Sequence, residues 1–268
     1  MIDERAQIGL IGGSGLYELG LLEGVCSVTL HTPYGAHSDG LCLGMIEGVS
    51  VAFLPRHGLG HRIPPHEVPY RANLWAMHAL GVRRAVTVSA MGGTRTEYRV
   101  GDTCVPDQII DWTRTRRNTF FDGPHVVHTP FEEPFCPVLR EALRNGALDI
   151  GLQCHDGATV AVFDGPRFST RAESRLFRDV LKADLLSMTA MPEAILAREL
   201  GICYATIAVV SDLDAFGSEP VSHAEVSAVM ARTLPAVADA VARAVPNIDA
   251  AMRCPACRPP EGSPFRED

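Results

Sequence analysis

Long apolar runs are missing from this sequence. No stretch approaches the roughly 18–20 residues of a membrane span, and interruptions such as Pro55-Arg56-His57 break the longer candidates, so a helical membrane protein is excluded. Clustered positive charge is missing too. Lys and Arg total 24 against 32 Asp and Glu, a net charge of −8, which argues against a nucleic-acid or anionic-membrane partner. A small anionic substrate remains compatible, because one arginine in a cleft acts locally. The start, Met1-Ile2-Asp3-Glu4-Arg5, lacks the basic and then apolar pattern of a secretory signal, so the cytoplasm is the expected location. Internal repeats and long linkers are absent as well. One domain over 1–245 is expected, followed by a proline- and charge-rich segment, 246–268, that reads as a loose tail.

Metal spacing is nearly absent among the eight cysteines, Cys26, Cys42, Cys104, Cys136, Cys154, Cys203, Cys254 and Cys257. Most read as small, reduced, buried apolar residues. Only Cys254-Pro255-Ala256-Cys257 has metal or redox spacing. A zinc site needs a second pair of ligands, and none stands nearby in the chain. The expectation is therefore no metal, with the pair either inert or joined as a tail disulfide.

What is present is a core-rich chain of 268 residues, 46% hydrophobic, in which strand-like and helix-like stretches alternate. Strands are expected over 7–11, 51–54, 85–90, 158–163, 184–188 and 202–210. Helices are expected over 67–80, 138–148, 170–182, 192–200 and 223–245, with Gly81 and Gly201 as stop signals. Strands apolar on both faces and separated by helices describe a sheet covered on both sides, hence an α/β fold.

Small or reactive polar groups follow the apolar runs directly: Ser14, Arg56 and His57, Ser89, Thr189, then Asp212 and Asp214. Ligands of open α/β sheets sit at the carboxyl ends of strands, so these segments could converge on one pocket. Taken singly, each has a bland alternative: a glycine turn for Ser14, a solvated loop for Arg56 and His57, a helix cap for Thr189. Arg56 offers a planar fork of donors suited to phosphate oxygens. Asp212 and Asp214 end a nine-residue apolar run, so two carboxylates reach the rim of a dry pocket, where burial and mutual repulsion would raise a carboxyl pKa. Their spacing of two on an extended segment predicts that both point to the same side, and a protonated member could act as a general acid.

Several segments together carry a family resemblance: Ile11-Gly12-Gly13-Ser14-Gly15-Leu16, Thr32-Pro33-Tyr34-Gly35, Arg56-His57-Gly58, Tyr70-Arg71-Ala72-Asn73-Leu74-Trp75-Ala76, Gly165-Pro166-Arg167-Phe168-Ser169 and Met188-Thr189. In this order, from about residue 7 to 216, the chain resembles the methylthioadenosine phosphorylase branch of the trimeric purine nucleoside phosphorylases. The resemblance implies a phosphorylase fold with a mixed, partly barrel-like central sheet and a homotrimer, with pairing of trimers into hexamers left open. It implies phosphorolysis of a 6-aminopurine nucleoside, of the methylthioadenosine or adenosine type, with inorganic phosphate as co-substrate and no cofactor.

The resemblance also distributes roles. Ser14, Arg56, His57, Ser89, Ala90 and Thr189 would hold phosphate, Ala90 through its backbone amide. Serine stands at positions 14 and 89 where the family often has threonine, which keeps the hydroxyl. Met188 would lie against the ribose and Phe168 on the purine beside Ser169, although both aromatic and thioether could instead be core. Asp212 and Asp214 would serve the base: a carboxylate accepts from an exocyclic amino group, whereas a 6-oxo base leaves it unsatisfied. At the ribose 5′ end, His223 stands where methylthioadenosine enzymes tend to have valine and oxopurine enzymes a histidine. His61 and His128 are further candidates there, His128 arriving from a neighbouring subunit. The rival readings are a 6-oxopurine or methylthioinosine phosphorylase, a nucleoside hydrolase of related fold, and a non-catalytic nucleoside sensor.

Overall fold

The computed structural model of the chain describes residues 5–13, 15–16, 20–124, 126–216, 220–249 and 254–266. The described strands join in one 11-stranded mixed sheet. Its centre is built from β1 (Ile8–Gly12), β4 (Val49–Pro55), β5 (Arg84–Gly93) and β11 (Cys203–Asp212), all almost wholly buried. These are the apolar runs of the sequence, and burial on both faces is what such runs require.

The sheet forks at β5. Along one edge, β5 pairs in parallel with β11 from Arg84 to Gly92. Along the other, it pairs with β1 only as far as Thr87, and then antiparallel with β10 (Leu185–Ser187) at Gly92 and Gly93. The stretch from Val88 to Met91 therefore lies between the two partners on that edge, with its backbone facing a gap. This gap positions the site.

The strand order β2-β3-β4-β1-β5-β10-β9-β7 is completed by β2 (Glu23–Val28), β3 (Leu41–Ile46), β7 (Gln108–Asp111) and β9 (Thr159–Val162). The short β6 (Thr103–Val105) and β8 (Cys154–Asp156) extend the sheet beyond β11. Helices α1 (Tyr70–Ala79), α2 (Pro137–Asp149), α4 (Ala190–Glu199) and α5 (His223–Ala244) pack around the sheet close to their expected spans. The helix expected over 170–182 is instead a five-residue α3 (Arg171–Arg175), opened by a Thr170–Glu173 capping box, followed by a π turn from Leu176 to Val180.

The expected loose tail is a correction. In its described part, 254–266, Cys254 and Cys257 are buried, and the Phe265 ring lies 5.6 Å from that of His78 and 5.9 Å from that of Phe120. Apolar side chains within the proline-rich stretch supply the burial that composition alone does not reveal. Among the described residues, no helix is long and apolar enough to cross a membrane.

Candidate active site

A cleft of about 670 Å³ opens beside the fork. Arg56 enters it from the end of β4, where its backbone N–H donates to Gly12 O at 2.9 Å and ties the ends of β4 and β1 together. The guanidinium is buried and held from behind: Nε and Nη2 donate to the two carboxylate oxygens of Glu193 at 2.8 and 2.9 Å. Glu193 is fully buried in the first turn of α4 and also accepts from Tyr204 Oη at 2.9 Å. Burial works against the Arg56 charge, but the Glu193 carboxylate outweighs it and holds the guanidinium above its ordinary range. Nη1 is left to approach Val88 O, at 3.5 Å, on the open edge of β5. Ser89 and Ala90, the next residues of that edge, line the cleft with Thr189, which stands at the N-cap of α4.

His57 follows Arg56 in the same wall. Its Nδ1 lies 2.9 Å from Ile63 O, and a carbonyl only accepts, so Nδ1 carries the hydrogen and Nε2 is an acceptor. Burial, reinforced by the Arg56 charge, pushes the His57 pKa down to about 3. The His61 ring stacks on His57 at 4.3 Å, and His223 meets His61 edge-on at 5.5 Å, so three imidazoles run along the cleft. The His61 pKa is lowered by burial and by the proximity of His223. Beside His223, α5 presents Val226, Met230 and Leu234 to the same space. This apolar face of a helix carries no motif, which is why sequence reasoning passed over it.

The far wall holds the two aspartates. Asp212 ends β11 at a bulge; its Oδ2 accepts from Ser211 Oγ at 2.8 Å and its Oδ1 from the Asp214 backbone N–H at 2.9 Å. Burial, helped by the nearby Asp214 charge, raises the Asp212 pKa above its ordinary value. Asp214 accepts from Ser169 Oγ at Oδ1, whereas its buried Oδ2 has no protein partner. The expectation that both sit on one extended segment is corrected. The strand stops at Asp212, and Asp214 opens a 3-10 turn with φ +47°, so a bulge and a turn, not strand alternation, bring both acids to the cleft.

Two glycines make room for this arrangement. A Cβ on Gly92 would lie 2.9 Å from Asp212 Oδ1, and one on Gly165, whose φ is +67°, would lie 2.5 Å from Met188 Sδ. Arg116 braces the outer loops, donating to Met191 O at 2.6 Å and Asp164 O at 2.7 Å. Sequence reasoning missed Glu193, Tyr204, Gly92 and Arg116, and Gly165 entered only as part of a motif. A buried acid in the otherwise apolar Ala190–Ala197 segment was the available signal for Glu193.

Of the residues singled out in the sequence, Arg56, His57, His61, Ser89, Ala90, Phe168, Ser169, Met188, Thr189, Asp212, Asp214 and His223 all line this one cleft. Ser14 lies outside the described residues, although its neighbours Gly13 and Gly15 border the cleft. His128 is not brought in: it is exposed and absent from the cleft lining. The absence of a second thiol pair for Cys254 and Cys257 is also corrected, since the fold carries Cys136 and Cys203 to them from distant parts of the chain.

The sequence profile of the Phosphorylase superfamily matches residues 7–246. The chain belongs to the phosphorylase superfamily. It is similar to the S-methyl-5′-thioadenosine phosphorylase of Saccharolobus solfataricus, with 51% identity covering 85% of each chain. Among solved structures, this phosphorylase-superfamily chain is similar to a methylthioadenosine phosphorylase sourced from an antarctic soil metagenomic library, with TM-score 0.87, 43% identity, and coverage of 91% of this chain and 87% of the other. The Schistosoma mansoni methylthioadenosine phosphorylase in complex with adenine follows at TM-score 0.86 and 35% identity, covering 91% of this chain and 93% of that one.

Proposed function

We propose that this cleft carries out phosphorolysis of a 6-aminopurine nucleoside, with methylthioadenosine as the preferred substrate, giving free adenine and a pentose 1-phosphate. The observation that carries the reading is that Arg56 and Asp212, an anion holder and a carboxyl group of raised pKa, face one cavity of about 670 Å³. The relatives named above are methylthioadenosine phosphorylases, one of them with adenine bound.

Phosphate is the nucleophile, so the protein holds it rather than supplying a nucleophile of its own. Arg56 Nη1, the hydroxyls of Ser89 and Thr189 and the Ala90 amide are its donors, with Ser14 assigned from its place between Gly13 and Gly15. Neutral His57 adds an acceptor, Nε2, for the one hydroxyl of monoprotonated phosphate. As the glycosidic bond breaks, positive charge builds on the ribose beside Met188 and the bound dianion. Asp212 gives its proton to purine N7, and the base leaves neutral; such assistance contributes about 10²–10⁴-fold. The open Oδ2 of Asp214 accepts from the 6-amino group, Ser169 holds the opposite oxygen, and Phe168 lies over the base. His61 and His223 flank the 5′ end, where Val226, Met230 and Leu234 supply an apolar lining suited to a methylthio group.

This reading places one catalytic domain over 1–245 in the cytoplasm, needing no cofactor beyond phosphate as co-substrate. It includes a homotrimer in which exposed His128 reaches a neighbour's 5′ end; Val126, two residues before it, is 76% exposed in the single chain. The test is to offer adenosine, methylthioadenosine, inosine and methylthioinosine with and without phosphate and to measure free base. Rapid, phosphate-dependent release from methylthioadenosine supports the reading; phosphate-independent release, or a preference for the 6-oxo substrates, overturns it.

A further inference from the structure

At the opposite end of β11 from Asp212, four buried cysteines meet. Cys203 is the first residue of that strand, Cys136 is the N-cap residue of α2, and Cys254 and Cys257 bracket a 3-10 turn in the C-terminal segment. Their four sulfurs all lie within 4.8 Å of one another, and each residue is buried. The nucleoside cleft lies a strand's length away, so phosphorolysis makes no use of them. From this cluster we propose that the chain holds a structural metal ion of the zinc class, bound by Cys136, Cys203, Cys254 and Cys257.

Three observations carry the assignment. The first is geometric. A tetrahedral zinc–thiolate centre has arms of about 2.3 Å, and a regular tetrahedron of that size has edges of about 3.8 Å. Cys136 Sγ and Cys254 Sγ are 3.8 Å apart, and all six separations fall within the 4.8 Å bound. All four cysteines are free thiols, none joined in a disulfide. The second is the local chain. Cys254-Pro255-Ala256-Cys257 has the two-residue spacing of a zinc knuckle, and Cys257 N–H folds back on Cys254 O at 3.2 Å. The third is electrostatic. Four thiolates around a divalent ion leave two negative charges, and Cys136 sits at the N-terminus of the 13-residue α2. A helix N-terminus favours negative charge at that place.

Binding would change no oxidation state. Four S–H bonds are given up as four S–metal bonds form, and the protons pass to solvent. The ion would close a cross-link between strand, helix and C-terminal segment. Beyond the cluster, Ser263 Oγ of that segment approaches Glu199 O at 3.5 Å, and Phe265 lies among His78, Phe120 and Phe121. Metal binding then becomes folding free energy for the region.

The test uses the full-length protein, purified without chelator, with metal content measured by mass spectrometry of the elements and thiols counted in parallel. About one zinc per chain is expected, released on treatment with a mercurial. Protein prepared with cobalt in place of zinc should show the visible bands of tetrahedral thiolate cobalt. Cys254→Ser and Cys257→Ser should each cut the bound metal at least about ten-fold, while Cys26→Ser, outside the cluster, leaves it unchanged. Should either cluster variant fail to fold, the wild-type metal content and cobalt spectrum decide alone. Metal-free protein with four reactive thiols, or with the four sulfurs joined in two disulfides, overturns the proposal.

Discussion

Arg56 and Glu193, 137 residues apart in the chain, form a buried two-pronged ion pair that aims the third guanidinium nitrogen along the open edge of β5. The pair explains how a cation is kept in a dry wall: its desolvation is offset by a carboxylate that Tyr204 also holds. In the proposed reaction Glu193 therefore acts on phosphate through Arg56.

Glu193→Gln should leave a buried cation unpaired. The expected loss of stability is about 3 kcal/mol, read from denaturant unfolding. The expected loss in kcat/KM for phosphate is about 100-fold, from misplacement of the guanidinium. The apparent affinity for the nucleoside should change far less. Equal losses for both substrates would show that the pair is a general scaffold contact.

His57 has a pKa lowered from 6.5 to about 3, so between those values the unfolded chain binds the proton that the folded one refuses. Stability then rises with pH across this window and is lost as pH falls, by up to about 1.4 kcal/mol per pH unit for this one group. Unfolding free energies of wild type and His57→Asn, measured from pH 7 to pH 4, should diverge in slope, the variant losing less on acidification. Parallel curves would mean that His57 is protonated in the folded protein.

Asp212→Asn removes the proposed acid and leaves an amide that cannot give up a proton to purine N7. Release of adenine from methylthioadenosine should fall by about 10²–10⁴-fold. Wild-type kcat/KM should decline as pH rises through the elevated Asp212 pKa, and the variant should lack that limb. Adenine release at an undiminished rate in Asp212→Asn would assign the acid elsewhere.

The convergence of these residues was legible because each follows an apolar run, and the ends of such runs gather at one edge of a sheet. Arg56, Ser89, Thr189 and Asp212 were found this way. Partners contributed from helix interiors were not legible. Glu193 reads in sequence as an ordinary helix-start acid, and only the packing of α4 against β11 turns it toward Arg56 and Tyr204. The same holds for the fold. Strands with a strong apolar signal, such as β1 and β11, stand where the sequence puts them, whereas three-residue β6 and β8 exist because a neighbour pairs with them. The cysteine cluster was hidden for a related reason: 118 residues separate Cys136 from Cys254, and spacing rules look only along the chain.

His223→Val tests the 5′ end. If His223 contributes a hydrogen bond to a 5′-hydroxyl, its loss of about 1 kcal/mol lowers kcat/KM for adenosine about five-fold and leaves methylthioadenosine unchanged or improved. A matching decline for both nucleosides would place the imidazole outside substrate contact, as a wall for His61 alone.

The central claim is that phosphate itself attacks the sugar. Phosphorus NMR of a reaction containing methylthioadenosine and inorganic phosphate follows that event directly. A new sugar phosphate resonance should grow in step with free adenine, one for one, as the inorganic phosphate signal declines. Adenine accumulating with the phosphate signal unchanged would mean that water takes the glycosyl group, and the account would be wrong.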